Sequence, residues 1–294
     1  MAEVKNKKIL VTGATGQQGG ASVPNLLANG HRLRVMTRSP EKAKSIRSPN
    51  VEVVQGDFRD RESLNKALDG MYGAFVMGTP YEKGAEAEVS EGKAMIDACA
   101  EEGISHVVYS SVGCANKQTG IPHFDSKHKV EEHLKKSGLP YTILRPVWFM
   151  ENFASPWYRP SIEKGIVSSP LHPKRPLQMV SVADIGKIVA DAFTNPSRYL
   201  GHEFDIAGDE MAMERIVKEI SRVLLRTIRY DHIPESRAEE VVGRDWALMF
   251  QWFNKHGYDV EIHGTRNRFE YYGIPLTSFR QYLGHTRLGI EQVA

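Results

Sequence analysis

Three glycines spaced three apart, Gly13, Gly16 and Gly19, follow the apolar run Ile9-Leu10-Val11 and precede a helical stripe through Val23, Leu26 and Leu27. That combination suits a backbone that must approach a pyrophosphate. Glycine at 13 permits a tight turn, at 16 it leaves no Cβ in the way of a phosphate, and at 19 it lets the helix pack on the strand before it. The helix N-terminus then offers unpaired N–H groups and a partial positive charge to the anion. Thr15, Gln17 and Gln18 fill the positions between. The spacing is GxxGxxG rather than GxGxxG, so the strand and helix on either side carry the dinucleotide reading as much as the glycines do.

Arg38 stands about 20 residues beyond this turn, where the adenosine ribose lies in such sites. An acidic residue there would hydrogen-bond a ribose 2′-hydroxyl. Arginine instead matches a 2′-phosphate in charge and geometry, and Lys42, four residues on, can face the same anion. The pair favours NADP(H) over NAD(H). Farther along, Asp57 can accept a hydrogen bond from the adenine amino group while Phe58 packs nearby. Asp57 is equally placed to cap a helix over residues 61–68, and one carboxylate could do both.

Positioning these residues takes a repeated strand–turn–helix plan. Strands are expected at 33–38, 51–55, 74–78, 106–111 and 141–145, with a long helix over 85–102. Short β-branched runs alternating with helices mean a parallel sheet covered on both faces, a doubly wound α/β fold of Rossmann type. Pro24 falls inside the first helix and should kink it or disturb its second turn. After Pro146 the character changes: residues 152–182 read as strands and loops. A helix opens near Val182 with Asp184 as its cap, a strand returns at 204–207, and helices follow at 214–225 and 246–253. The domain reading is therefore a Rossmann domain over 1–150, to which residues 180–208 or so return, and a smaller mixed α/β lobe over most of 151–294. Two segments, 113–122 and 155–176, have little apolar patterning and are expected to be of low local stability.

Composition excludes several classes. The 294 residues are 41% apolar and 25% charged with a net charge of +2, so no global field points to nucleic acid or an acidic membrane. No apolar run approaches the roughly 18 residues of a membrane span, and the first residues lack the apolar core of a signal peptide. Cys99 and Cys114 lie far apart and outside any metal-ligand spacing, which suits a reduced, cytoplasmic protein. His128 and His133 fall on the polar face of a helix over 127–136 and form no metal pair.

The glycine turn, Arg38-Ser39-Pro40, Val54-Gln55-Gly56-Asp57, Val108-Tyr109-Ser110-Ser111, His123-Phe124-Asp125-Ser126-Lys127 and the run from Leu144 to Asn152 together resemble the NmrA-like branch of the atypical short-chain dehydrogenases/reductases. The likeness runs nearly full length and is strongest to the NADP(H)-sensing redox regulators of that branch. It implies a Rossmann core with a small C-terminal lobe. It also implies either regulators that bind protein partners or reductases acting on quinones and related small molecules. Carried over by position, the family's Tyr-x-x-x-Lys pair falls on His123 and Lys127. The lysine of active members contacts the nicotinamide ribose and lowers the tyrosine pKa. Ser110 and Ser111 stand at the strand end where a serine orients substrate. The tyrosine is absent here. His123 could replace it as an acid, since imidazole titrates near neutrality, or it could be a surface residue of the 120–122 loop.

By the same likeness Pro146, Phe149 and Asn152 belong to the stretch along the nicotinamide ring, with Trp148 and Phe149 as candidate pocket walls. The turn Gly78-Thr79-Pro80, with Tyr81, should pass beside the pyrophosphate. Trp246, Phe250 and Phe253, at helical spacing, read as a packed face of the small lobe rather than a substrate or partner surface. Two functions follow. The first is a cytoplasmic NADP(H)-binding regulator that reports redox state through a protein partner or a homodimer. The alternative is an NADPH-dependent reductase of a small carbonyl or quinone, with His123 or Lys127 as proton donor.

Overall fold

The structure, a computed structural model, describes residues 4–46 and 48–290. Its elements in chain order are β1 (Lys8–Thr12), α1 (Gln17–Ala28), β2 (Arg32–Thr37), β3 (Val51–Gln55), α2 (Arg61–Leu68), β4 (Gly73–Met77), α3 (Ala85–Glu101), β5 (His106–Ser110), α4 (Pro122–Lys136) and β6 (Tyr141–Pro146). There follow β7 (Trp148–Phe149), α5 (Arg159–Glu163), β8 (Ile166–Ser169), β9 (Pro176–Val180), α6 (Val182–Thr194), β10 (His202–Ile206), β11 (Asp209–Ala212) and α7 (Met213–Leu224). The chain ends with β12 (Arg229–His232), α8 (Glu235–Val242), α9 (Arg244–Lys255), α10 (Ile262–Tyr271) and α11 (Phe279–Thr286).

Two compact units result. One holds the chain through Gln118 together with Pro122–Arg145 and Val182–Phe204; the other holds Thr119–Ile121, Pro146–Ser181 and the chain from Asp205 on. The first is built on a seven-stranded sheet of order β10-β6-β5-β4-β1-β2-β3. Neighbours among β1 to β6 pair in parallel. Helices α2, α3 and α4 pack side by side and α1 packs on α6, so the sheet is flanked by helices. This is the doubly wound Rossmann order, and its reversal falls between β1 and β4. Ile9, Leu10, Val11, Phe75, Val76, Val107 and Val108 are fully buried, as strands covered on both faces require. The second unit carries a three-stranded sheet of order β11-β9-β7 and the parallel pair β12-β8. Its centre is aromatic: the Trp148 ring lies 5.8 Å from Trp246 and 6.0 Å from Phe250. Phe250 and Phe253 are buried, so that helical face is core.

Several expectations are corrected. Helix α1 runs through Pro24 without a break. Pro24 is on the exposed side, where the carbonyl that loses its donor can turn to water. Asp184 lies within the first turn of α6, not ahead of it, and pairs with Lys187 at 3.0 Å. The segments 113–122 and 155–176, expected to have little apolar patterning, each carry buried apolar residues: Cys114, Ala115 and Ile121 in the first, Ile162, Val167 and Leu171 in the second. The second also contains α5 and β8. His128 and His133 are not simply solvated, since each faces a carboxylate, Glu131 at 3.4 Å and Asp97 at 2.6 Å. Among the described residues no helix is long and apolar enough to cross a membrane. No cluster of three potential metal ligands occurs among them either.

Two of the buried polar groups in the first unit bear directly on its stability. Arg145 of β6 donates Nε to Glu131 Oε1 at 2.8 Å and Nη2 to Glu131 Oε2 at 2.6 Å, and also pairs with Glu203 of β10. His106, at the start of β5, has its Nε2 2.8 Å from Thr142 Oγ1. That hydroxyl donates to the Tyr199 carbonyl at 3.0 Å, so it must accept from the imidazole. The network thus assigns a neutral ring with its proton on Nε2. Nδ1 is buried with no hydrogen-bond partner, and the ring edges against Phe193 at 5.2 Å. Protonating Nδ1 would strand a charge, and burial lowers the pKa from 6.5 to about 4.

The unfolded chain therefore binds the extra proton first as pH falls, and stability is lost between pH 6.5 and about 4. The loss from this residue is about 3 kcal/mol at the acid end, by conversion of the shift. Urea unfolding across that range should show it, and His106→Gln should flatten the dependence. Buried His31, whose pKa is also lowered by burial, leaves a smaller residue of the same sign. A slope unchanged in the variant would remove His106 as its source.

Candidate functional site

The end of β1 is tied to its neighbour by a side chain. Thr12 Oγ1 donates to the Phe75 carbonyl at 3.1 Å and accepts from Met77 N at 3.0 Å, fixing β1 against β4 where the strand order reverses. The chain then turns at Gly13 with φ +61°, and Gly16 N closes the turn on the Gly13 carbonyl at 2.9 Å. Helix α1 begins at Gln17, and no side chain caps it. Gly13, Thr15, Gly16 and Gln17 are exposed. Gly19 is buried: a Cβ there would lie 2.4 Å from the Gly13 carbonyl oxygen. Gln18 faces inward, and its Oε1 accepts from Ser110 Oγ at 2.6 Å, linking the loop to the end of β5.

Gly13, Thr15, Arg38, Asp57, Phe58, Gly78 and Thr79 line one cleft at the carboxyl ends of β1 to β4. Pro80 is buried and Lys42 is exposed, and neither lines the cleft. Arg38 is engaged: its Nη1 and Nη2 donate to the two oxygens of Glu82 at 2.5 and 2.7 Å. Asp57 does not cap α2. That place belongs to Asp60, whose side chain accepts from Ser63 N at 3.2 Å. Asp57 accepts instead from Arg59, at 2.9 Å from its backbone and at 3.1 and 2.7 Å from its guanidinium. The side-chain hydrogen bonds from Arg59 hold the Asp57 carboxyl down at about 2, so it is ionised at any working pH.

The Tyr-x-x-x-Lys positions lie on α4. His123 is in its first turn and buried, not a surface loop residue, with its ring 4.7 Å from Phe124 and 6.2 Å from Tyr81. One turn on, Lys127 Nζ donates to Glu88 Oε1 at 2.6 Å and to the Gly78 carbonyl at 3.2 Å. The other Glu88 oxygen accepts from Ser126 Oγ at 2.5 Å. The Glu88 side chain is 1% exposed. Ser111, after β5, has a buried Oγ with no hydrogen-bond partner. Pro146 closes β6, while Phe149 and Asn152 follow on β7 and the turn after it; all three belong to the second unit.

Glu82 and Glu88, like Arg59, Lys83 and Glu91 at the cleft rim, are partners at the candidate site that sequence reasoning did not single out. Glu88 had a signal. It falls on the stripe of α3 shared by Gly92, Met95, Ile96 and Cys99, all of them buried, and a carboxylate on such a stripe needs a cation. Glu82, in a turn of 80–84, had none.

Residues 5–283 match the NmrA-like family. An NmrA-like family domain-containing protein of Dictyostelium discoideum is 27% identical over 297 residues, covering 95% of this chain and 97% of its own. Among solved structures, the NADP(H) complex of the Citrobacter triphenylmethane reductase aligns with a TM-score of 0.81 at 19% identity, over 94% of this chain and 99% of the other. The negative transcriptional regulator NmrA, solved with NADP, aligns at 0.80 and 21% identity, over 98% and 97%. At these identities the structural likeness establishes the fold.

Proposed function

This chain belongs to the NmrA-like family, and from that premise we propose that it is an NADP(H)-binding regulator that reports redox state through association with a protein partner or a second copy. Relatives in structure include both a reductase and a transcriptional regulator solved with this cofactor, so the choice rests on this chain's own residues. The cofactor fits them. The uncapped start of α1 and the Cβ-free Gly13 and Gly16 would receive the pyrophosphate, and Arg38 the 2′-phosphate. Asp57 and Phe58 would flank the adenine, and Gly78 and Thr79 line the same cleft.

The observation that carries the regulatory reading is Lys127 held by Glu88 at 2.6 Å. An ammonium assists a proton donor by its unbalanced charge, and a carboxylate at contact distance cancels that field. The donor position itself holds His123, packed against Phe124. Without the family's tyrosine at that position, the loss of a positioned phenolic acid lowers turnover by about 10²–10⁴. One observation favours the reductase as a second reading: the partnerless buried Oγ of Ser111 is ready to bond a small oxygen-bearing substrate.

Arg38→Ala is expected to weaken NADPH binding by about ten- to a hundredfold, the value of a charge-assisted hydrogen bond, and to leave NADH binding nearly unchanged. Calorimetry checks both, and equal wild-type affinities for the two cofactors would remove the assignment. Sedimentation with and without NADPH tests regulation, since a switch requires association to shift with occupancy. Rapid NADPH oxidation at 340 nm with quinones or aldehydes, lost in His123→Phe, would establish the reductase instead.

A further inference from the structure

Much of the charge at the rim of the β1–β4 cleft is paired, with exposed Lys42 near Glu82 beside it. Three cations and three carboxylates pair off: Arg38 with Glu82, Arg59 with Asp57, and Lys83 with Glu91 at 3.2 Å. A 2′-phosphate, with up to two negative charges, would therefore find each of these cations already engaged. For one of these three cations to receive it, its carboxylate must yield.

The three are not equally free to do so. Asp57 is gripped by backbone and guanidinium of Arg59 together. Glu91 lies within the long helix α3, its side chain 21% exposed, and also lies 3.6 Å from Arg59. Glu82 stands on a short turn closed by one backbone hydrogen bond, Gly84 N to the Pro80 carbonyl at 2.7 Å. Its side chain is 51% exposed and that of Arg38 is 52% exposed, so either can leave the pair without burying a charge. Exposed ion pairs hold their partners only weakly, by a factor of about two to five.

We propose that Glu82 is a cofactor-selecting residue, an internal anion that takes the place of the 2′-phosphate on Arg38 until NADP(H) displaces it. The proposal rests on the dinucleotide reading above. Its chemistry is that of planar recognition, in which a carboxylate presents two oxygens to the guanidinium fork much as a phosphate does. A ribose 2′-hydroxyl carries no charge and cannot compete for Arg38, yet it can donate to the Glu82 carboxylate. NAD(H) thus binds with Glu82 in place, and NADP(H) binds by pushing it into water, where it still repels the phosphate at short range. Glu82 narrows the preference that Arg38 creates.

The test is titration calorimetry of the full chain as wild type, Glu82→Gln and Glu82→Ala. The probes are NADPH, NADH and 2′,5′-ADP, which carries the 2′-phosphate without the nicotinamide. Both variants should bind NADPH and 2′,5′-ADP about three- to tenfold more tightly, through loss of the competing pair and of the repulsion. NADH should bind equally or up to about threefold more weakly. NADPH affinity unchanged or lowered in both variants, with wild type binding normally, would overturn the role of Glu82 alone. Wild type binding neither NADPH nor 2′,5′-ADP would overturn the cofactor reading with it. Because Glu82 is exposed, both variants should fold as wild type, which circular dichroism verifies.

Discussion

Lys127→Met should destabilise the protein by about 3–5 kcal/mol, the effect of stripping a buried carboxylate of its cation. Glu88 would keep only the Ser126 hydroxyl as a partner. Its side chain is almost sealed from solvent, and the methionine thioether offers it no donor. The double variant Glu88→Gln/Lys127→Met removes both charges and should recover most of the loss, since a neutral amide can still bond Ser126. Urea unfolding of the two single variants and the double variant forms the cycle that isolates the pair. A Lys127→Met protein as stable as wild type would show that Glu88 finds another partner or a proton. Loss of function in any Lys127 variant therefore has to be read beside its stability before a chemical role is assigned.

Gly19→Ala should abolish tight cofactor binding, by about a thousandfold, and also lower stability by about 1–3 kcal/mol. The new methyl would lie 2.4 Å from the Gly13 carbonyl oxygen and 2.7 Å from Ala14 N, and backbone cannot swing aside as a side chain can. The first turn of α1 or the glycine turn must shift, and either movement takes the amides off the pyrophosphate. Gly16→Ala separates the two effects. Its Cβ meets only the Gly13 carbonyl, at 3.3 Å, so it should leave the fold nearly intact while projecting into the ligand's path. NADPH titration and unfolding of both variants give the contrast. Gly19→Ala that binds normally would mean the loop is not the pyrophosphate seat.

Much of this unit was legible because parallel strands bring their carboxyl ends together. Once β1 to β4 are read as strands, Gly13, Arg38, Asp57 and Gly78 must converge, although they span residues 13 to 78. What could not be read were partners supplied by turns and by helix rotation. The Arg38–Glu82 pair depends on a turn with no periodic pattern. Asp57 and Asp60 are both acids ahead of α2, and only the residue immediately before Arg61 has its oxygen within reach of Ser63 N. Pro122 looked like loop, yet proline at a first helical position starts α4 and carries His123 into the core. Pro24 looked like a break, but its exposed position let the helix continue.

Helix α4 carries Lys127 and Glu131 one turn apart, the first set against Glu88 and the second against Arg145. That order of charges acts on the helix as a vernier. A slip of one turn, about 5.4 Å, in one direction would bring Glu131 opposite Glu88, anion against anion. A slip in the other would bring Lys127 opposite Arg145, cation against cation. Apolar contacts from Val130 and Leu134 alone discriminate poorly among such neighbouring registers, because one aliphatic group substitutes for another. Two buried pairs of opposite polarity do not permit the exchange. Whatever they contribute to net stability, they allow α4 one axial position, and with it one height for His123 above the sheet.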